Sequence, residues 1–186
     1  MANLNAPRGL QPVGDIHGNR YVAPSNRYYK GVAAANRICK GDRVVLSATA
    51  TTDPNGYPEI LKVAPGTAGT GVVVGIDTVV GQPHKLCYES TDVGYVMVED
   101  DMNVLYEVQE GGAGTAFTLA AIGQTCNLIA NADGNQSTGL SILQLNNATL
   151  GTGTDVQVMG ISHRSDNAVG AQCKWLVKLY TGAAIA

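Results

Sequence analysis

The stretch YVMVEDDMNVLYEVQEGG, Tyr95–Gly112, decides how this chain is read. Val96 and Val98 share one face of an extended backbone, while Tyr95, Met97 and Glu99 share the other. Past Asp100, Asp101 and Met102 the same period resumes. Val104, Tyr106 and Val108 lie on one side, and Leu105, Glu107 and Gln109 on the opposite side. A period of two is the signature of a strand, because successive side chains point to opposite faces. The simplest reading is two strands joined by a short polar connection as a hairpin. Asp100 and Asp101 fall where turns favour Asp, whose carboxylate accepts hydrogen bonds from the following backbone. Glu107 is expected opposite the valines, toward solvent or a neighbour.

Outward from this stretch the same pattern dominates. DRVVLSATA (Asp42–Ala50) reads as a strand and TDPNGYP as its turn, with Asn55-Gly56 supplying the positive φ of a tight reversal. EILKV (Glu59–Val63) returns antiparallel. TGVVVGID (Thr70–Asp77) is apolar on successive positions, so both faces are expected to be covered. Its Gly75 suggests a bulge. In LAAIG, Thr118 can cap a single helical turn and Gly123 can stop it. TCNLI (Thr125–Ile129), LSILQL (Leu140–Leu145), TDVQVMGISHR (Thr154–Arg164) and CKWLVKLY (Cys173–Tyr180) read as further strands. The fold class expected is all-β. Small β-barrel or β-sandwich-like modules of short antiparallel strands are predicted, with one short helical turn near 118–123 and an extended N-terminal arm. The arm spans 1–19, a first module 20–82 and a second module 83–186. The soft boundary lies in VGQPHK (Val80–Lys85), and the alternative is one continuous domain.

Composition narrows the function. Of 186 residues 15% are charged, against roughly 25% in an ordinary domain, and the formal net charge is −3. Nucleic-acid binders carry a basic excess to displace counterions from phosphates, so nucleic acid is not an expected partner. A sparsely charged surface leaves few ions to desolvate when chains pack together. No run of about 18 apolar residues is present, so no membrane partner is expected. The N-terminus shows no secretory pattern, and synthesis and folding in a cytoplasm are expected. Cys39, Cys87, Cys126 and Cys173 lie far apart in the chain. In a reducing compartment they are expected to be buried thiols rather than disulfides.

No residue pattern announces chemistry. His17, His84 and His163 are scattered, with no metal-ligand spacing. No serine sits in a nucleophile elbow. GTAGTG (Gly66–Gly71) precedes a strand instead of a helix, so it does not form a phosphate loop. The acids Glu99, Asp100 and Asp101 lie consecutively on a turn and are expected to be solvated. Tyr28 and Tyr29 with Arg20, Arg27 and Lys30 suggest a strand edge carrying tyrosines. No enzyme activity, cofactor or metal is expected.

Several blocks taken in order carry a resemblance. NAPRGLQPVG (Asn5–Gly14), GDRVVL (Gly41–Leu46) and AGTGVVVGID (Ala68–Asp77) come first. YVMVEDDMNVLYEVQE, LAAIGQTCNLI and DNAVGAQCKWLVKL (Asp166–Leu179) follow. Together they span most of the chain, which resembles the head decoration, or cement, proteins of tailed bacteriophages. That resemblance implies a β-rich subunit, made in the bacterial host cytoplasm and located on the virion exterior. It would associate with itself as a homotrimer and clamp the major capsid protein. It brings no active site. A tail-tube or head–tail connector subunit is the alternative virion role, and a β-sandwich host- or sugar-binding module is a more distant one. The contact candidates lie in the arm: Leu4, Asn5, Pro7, Arg8, Leu10, Pro12 and Val13. Pro7 and Pro12 interrupt regular pairing, and Leu4, Leu10 and Val13 offer apolar anchors. Such an arm is expected to order only on a partner.

Overall fold

The computed structural model describes residues 3–22, 25–31, 36–48, 53–78, 82–130 and 133–180. Among them run twelve strands. In chain order these are β1 (Gln11–Asp15), β2 (Asn26–Lys30), β3 (Arg43–Leu46), β4 (Ile60–Lys62), β5 (Gly71–Ile76), β6 (Gly94–Glu99) and β7 (Val104–Gly111). After them come β8 (Thr125–Cys126), β9 (Leu128–Ile129), β10 (Gln144–Asn146), β11 (Val156–Ile161) and β12 (Lys174–Leu179). The described helical structure is two single 3-10 turns, Leu119–Ala121 and Asn147–Thr149. The chain is all-β.

Two sheets form, and each curls toward closure. The first has the order β2-β6-β5-β3-β4. Its ends meet where the Tyr29 amide donates to the Pro58 carbonyl at 2.9 Å, beside a bridge from Tyr29 to Glu59. The second has the order β8-β11-β12-β7-β10-β9, with β1 added on β7. Its two terminal strands, β8 and β9, are consecutive in the chain and separated by Asn127 alone. One short segment therefore turns the corner and brings the sheet round on itself, as a small barrel requires. Asn127 fixes that corner: its side-chain Oδ1 accepts from the Thr154 backbone N–H at 2.7 Å, and its backbone N–H donates to Thr149 Oγ1 at 2.9 Å. Gly153 packs so closely here that a Cβ would lie 2.0 Å from the Cys126 carbonyl carbon.

Strands β6 and β7 exist as their alternation predicts, but they do not form a hairpin. Strand β6 pairs with β2 and β5 in the first sheet. Strand β7 pairs with β1, β12 and β10 in the second. Asp100–Asn103 is thus the crossing between the two sheets. The expected boundary at Val80–Lys85 falls partly outside the described residues, as do positions 49–52 of the first strand-and-turn reading. Among the described residues, pairing between the named strands is antiparallel with one exception. Strand β10 runs parallel to β7, Leu145 against Glu110.

The second core follows from period two. Val104, Tyr106 and Val108 of β7, Val156 and Val158 of β11, and Trp175, Val177 and Leu179 of β12 point inward together. Phe117 meets Trp175 edge-on at 5.9 Å, the geometry in which a positive ring edge faces a negative ring face. The first core gathers Tyr28, Ile38, Val44, Ile60, Val73, Tyr88, Val96 and Val98. Bulges interrupt β1 between Pro12 and Gly14, β5 between Val73 and Gly75, and β11 between Val158 and Gly160. The bulge at Gly75 is the one its sequence suggests.

Two expectations about polar residues are overturned. Cys39 and Cys87 are joined in a disulfide, with Cα atoms 4.5 Å apart. Reciprocal 2.9 Å bonds between Ile38 and Tyr88 place them side by side. Cys126 and Cys173 are buried free thiols, as read. Glu99 is fully buried, not solvated on a turn, because β6 enters the junction between the barrels.

Candidate functional site

The N-terminal segment carries all seven contact candidates, and the structure divides them. It is not a free arm, because it docks on its own second barrel. The Asn3 amide group donates to the Ala168 and Ala171 carbonyls at 2.8 and 2.9 Å. Ala6 N–H donates to Gln109 Oε1 at 2.9 Å, and Gln109 Nε2 donates to Asn5 Oδ1 at 3.0 Å. Strand β1 then lies antiparallel to β7, Gln11 opposite Glu107 and Asp15 opposite Val104. A strand that completes its own sheet needs no partner to become ordered, which corrects the expectation that it would.

Leu10 is wholly buried in the second core, so it is a packing residue and offers nothing at the surface. Its amide donates to the Gly41 carbonyl at 3.0 Å and so stitches the segment to the first barrel. Gly9 adopts φ 69°, and a Cβ there would lie 2.5 Å from Ser141 Cβ, so only glycine fits. Pro7 and Pro12 are half-buried, while Asn5 and Arg8 are exposed. Leu4 is 73% exposed and Val13, lifted out by its bulge, 45%. Leu4 directly follows Asn3, whose side chain also accepts from the Ala168 amide. Val22, just past the segment, is 81% exposed.

Behind the segment, a junction of buried charge locks the barrels together. Arg43 of β3 pairs with Asp155, which leads into β11, at 2.5 Å, with both side chains buried. The other oxygen of Asp155 accepts from the Gly66 and Leu128 amides, each at 2.8 Å. Arg43 also donates to the Thr67 carbonyl. Asp42 accepts from Ser141 Oγ at 2.6 Å and from the Cys39 amide at 2.9 Å, with Lys62 Nζ at 3.2 Å. Burial holds its carboxyl above the usual aspartate range, against the pull of those partners. Lys30 is fully enclosed. Its ammonium donates to three carbonyls, Glu89, Ser90 and Asp92, at 2.8, 2.9 and 2.6 Å, and burial lowers its pKa. Each of these buried charges has an ionic or hydrogen-bonding partner inside the fold, although Arg43 Nη1 and Asp155 Oδ1 meet as an ion pair without hydrogen-bond geometry.

The acids of the opening stretch are similarly committed. Asp100 accepts from Tyr28 Oη at 2.6 Å and from Asn26. Asp101 accepts from the Asn103 amide at 2.8 Å. Glu107 is half-buried, bonded to Ser162 Oγ at 2.5 Å and Arg164 at 3.2 Å. Glu110 lies inside the second barrel and accepts from Trp175 Nε1, the Phe117 amide and Asn147 Nδ2. No three His, Cys, Asp or Glu side chains converge as a metal site among the described residues. The tyrosine edge separates in two. Tyr28 is buried, while Tyr29 and Tyr57 flank Tyr95, whose face carries the Arg27 guanidinium at 4.1 Å.

Sequence reading did not anticipate a cleft of about 400 Å³ where the segment crosses between the barrels. Leu10, Gln11 and Pro12 form one wall, Val73, Val74, Gly75 and Met97 another, and Tyr21, Ser25, Lys40 and Gly41 complete it. Two of the three bulges border it. Gly75 alone signalled one of them in the sequence. No family model, curated protein or solved structure matches the chain.

Proposed function

We propose that this chain is a structural component of a tailed-bacteriophage virion, a decoration protein that binds the outer surface of the major capsid protein shell as a homotrimer and stabilises the assembled head. The observation that carries the reading is the N-terminal segment. It is anchored by Leu10 and β1, yet it presents Leu4, Val13 and, just beyond, Val22 to solvent. Apolar side chains carried on an already ordered backbone lose little conformational entropy on docking. The ordered sequence blocks that resemble decoration proteins and the sparse surface charge support the same assembly role. Several modest contacts made by one cyclic oligomer add through effective concentration, and binding only the assembled shell stabilises it by mass action. The tail-tube alternative leaned on a stacking hairpin at Tyr95–Glu110, and these strands belong to different sheets.

The test adds purified chain to heads that lack it and images the particles. Saturable protrusions at three-fold or quasi-three-fold positions are expected, and density confined to the tail overturns the reading. Leu4→Ser with Val13→Ser is expected to reduce occupancy while the unfolding midpoint stays unchanged. Leu10→Ala is expected to lower stability by about 2–5 kcal/mol, because it empties a core site. Unchanged occupancy of the Leu4/Val13 variant removes these side chains as contacts.

A further inference from the structure

The second barrel holds a separate pocket of about 320 Å³ where β7 and β10 end. Because these two strands run parallel, their C-terminal ends lie together, Asn146 against Gly111. The chain that follows β7, the residues just before β12 and Asn5 of the N-terminal segment complete the walls. The volume falls within the range of about 300–1,000 Å³ typical of small-molecule sites.

Four carboxamides line it: Asn5, Gln144, Asn147 and Gln172. Gln144 is only 9% exposed. Its Nε2 reaches the Glu110 carbonyl at 3.4 Å, but its Oε1 accepts no hydrogen bond among the described residues and is not sealed among protein atoms. Gly111 confines it there, since a Cβ would lie 2.7 Å from the Gln144 amide carbon. Asn5 Oδ1 takes Gln109 Nε2, which leaves its own Nδ2 unbonded. Gln172 is the one non-glycine residue at positive φ among those described, at 61°, and its side chain has no hydrogen-bond partner among them. Backbone held in that region is strained, and such strain gathers at binding and catalytic sites.

Glu110 is the one charged lining residue. Its Oε1 accepts from the Phe117 N–H at 2.9 Å and from Asn147 Nδ2 at 3.3 Å, whereas Oε2 accepts from Trp175 Nε1 alone, at 3.2 Å. Each carboxylate oxygen has two acceptor positions, so Oε2 keeps one. No Lys, Arg or His lines the pocket, so nothing there balances a phosphate or carboxylate. An incoming peptide strand finds no edge either, because Gly111 pairs with β10 on one side and the Glu110 N–H donates to the Cys173 carbonyl on the other. What remains is a set of neutral donors and acceptors side by side, which suits hydroxyl groups, each of them donor and acceptor at once.

We infer that this pocket binds a neutral saccharide unit. Adjacent hydroxyls donate to Glu110 and Gln144 Oε1 and accept from the amide groups of Gln172 and Asn5, while Ala116 and Ala171 meet the C–H face of the ring. The inference stands apart from the assembly reading, and its test involves no phage heads.

The experiment titrates the ¹⁵N-labelled full chain with the methyl glycosides of glucose, galactose, mannose and N-acetylglucosamine, and follows backbone and side-chain amide signals. Saturable, millimolar shifts centred on Gly111, Gly112, Gln144, Asn147 and Gln172 are expected with at least one of them. Gln172→Gly removes the side chain and suits the positive φ, so the fold is kept and its unfolding midpoint does not fall. Binding is expected to weaken about three- to tenfold, the loss of one neutral hydrogen bond, and Asn5→Ala is expected to do the same. The methyl glycoside of glucuronate, which carries a carboxylate, is expected not to bind. Absence of saturable shifts with all four neutral glycosides overturns the inference, as do shifts centred elsewhere or a Gln172→Gly variant that binds as before. Binding of glucosamine without the neutral glycosides would mark a cation site and overturns it too. Equal shifts with glycerol would show a hydrated pocket only, with the same consequence.

Discussion

Severing the Cys39–Cys87 bond is the sharpest perturbation the fold offers. The bond joins positions 48 residues apart. Closing a loop of that length removes conformational freedom from the unfolded chain, and the chain-entropy relation gives about 4 kcal/mol at 25 °C. For a chain of this size each kcal/mol moves the melting temperature by about 2–4 °C, so loss of the bond should lower it by about 8–16 °C. The assay is urea unfolding followed by Trp175 fluorescence and by far-ultraviolet circular dichroism, with and without dithiothreitol and for the Cys39→Ser/Cys87→Ser variant. The bond lies within the first barrel and Trp175 within the second. If the buried Arg43–Asp155 junction makes the barrels one cooperative unit, both probes shift together. Alkylation of the unreduced, denatured chain should label Cys126 and Cys173 only. Labelling of all four cysteines without reductant, or midpoints indifferent to dithiothreitol, refutes the reasoning.

Breaking the junction is the second test. Asp155→Asn leaves Arg43 buried without its countercharge, and a loss of about 3–5 kcal/mol is expected by denaturant titration. Replacing both partners, Arg43→Met with Asp155→Leu, should recover part of that loss, and no difference between single and double variants would show the charges to be uncoupled. The third test is alkaline titration. Tyr28 is pushed up to about 12 by burial and then by Asp100, and burial also raises Tyr21, Tyr88 and Tyr106. Their folded values exceed the unfolded one, so the stability they contribute is complete below pH 10 and is lost as pH climbs toward 12. The slope is about 1.4 kcal/mol per pH unit for each tyrosine that ionises only in the unfolded chain. Phenolate absorbance should appear in two stages, the second coincident with loss of circular dichroism. A single stage near pH 10 with the fold intact contradicts this assignment.

Much of the local structure was legible in the sequence, and the pairings were not. Alternation located β7, β11 and β12, because one buried face forces every second residue to be apolar. Gly75 signalled its bulge, and Gly123, at φ 88°, ended the helical turn as read, although Thr118 makes no side-chain cap. Period two, however, says which face a residue takes and not which strand lies beside it. Asp100–Asn103 therefore looked the same as a hairpin turn and as a crossing between sheets. Cys39 and Cys87 could not be matched, because the Ile38–Tyr88 bridge that aligns them joins distant segments. Glu110 shares parity with Val104, Tyr106 and Val108 and was inward by that rule, but a carboxylate is ordinarily expected outside. Its Trp175 partner comes from a strand far along the chain. In the N-terminal segment, Pro12 read as a breaker of pairing. It is tolerated at a sheet edge, and Val13 takes up the extra residue beside it.

The pairing of β1 with β7 has a consequence for how the molecule is made. Everything in the first barrel is threaded between those two partners, so the chain leaves the second barrel and re-enters it at adjacent points. During synthesis β1 emerges before β7 and waits without its mate until the whole inserted barrel has been translated. The second barrel then closes only once β12 has been translated and has taken its place between β11 and β7. A nascent chain arrested after β6 would carry a finished inner body and a bare leading edge, vulnerable to proteases at Gln11–Asp15 until β7 covers it.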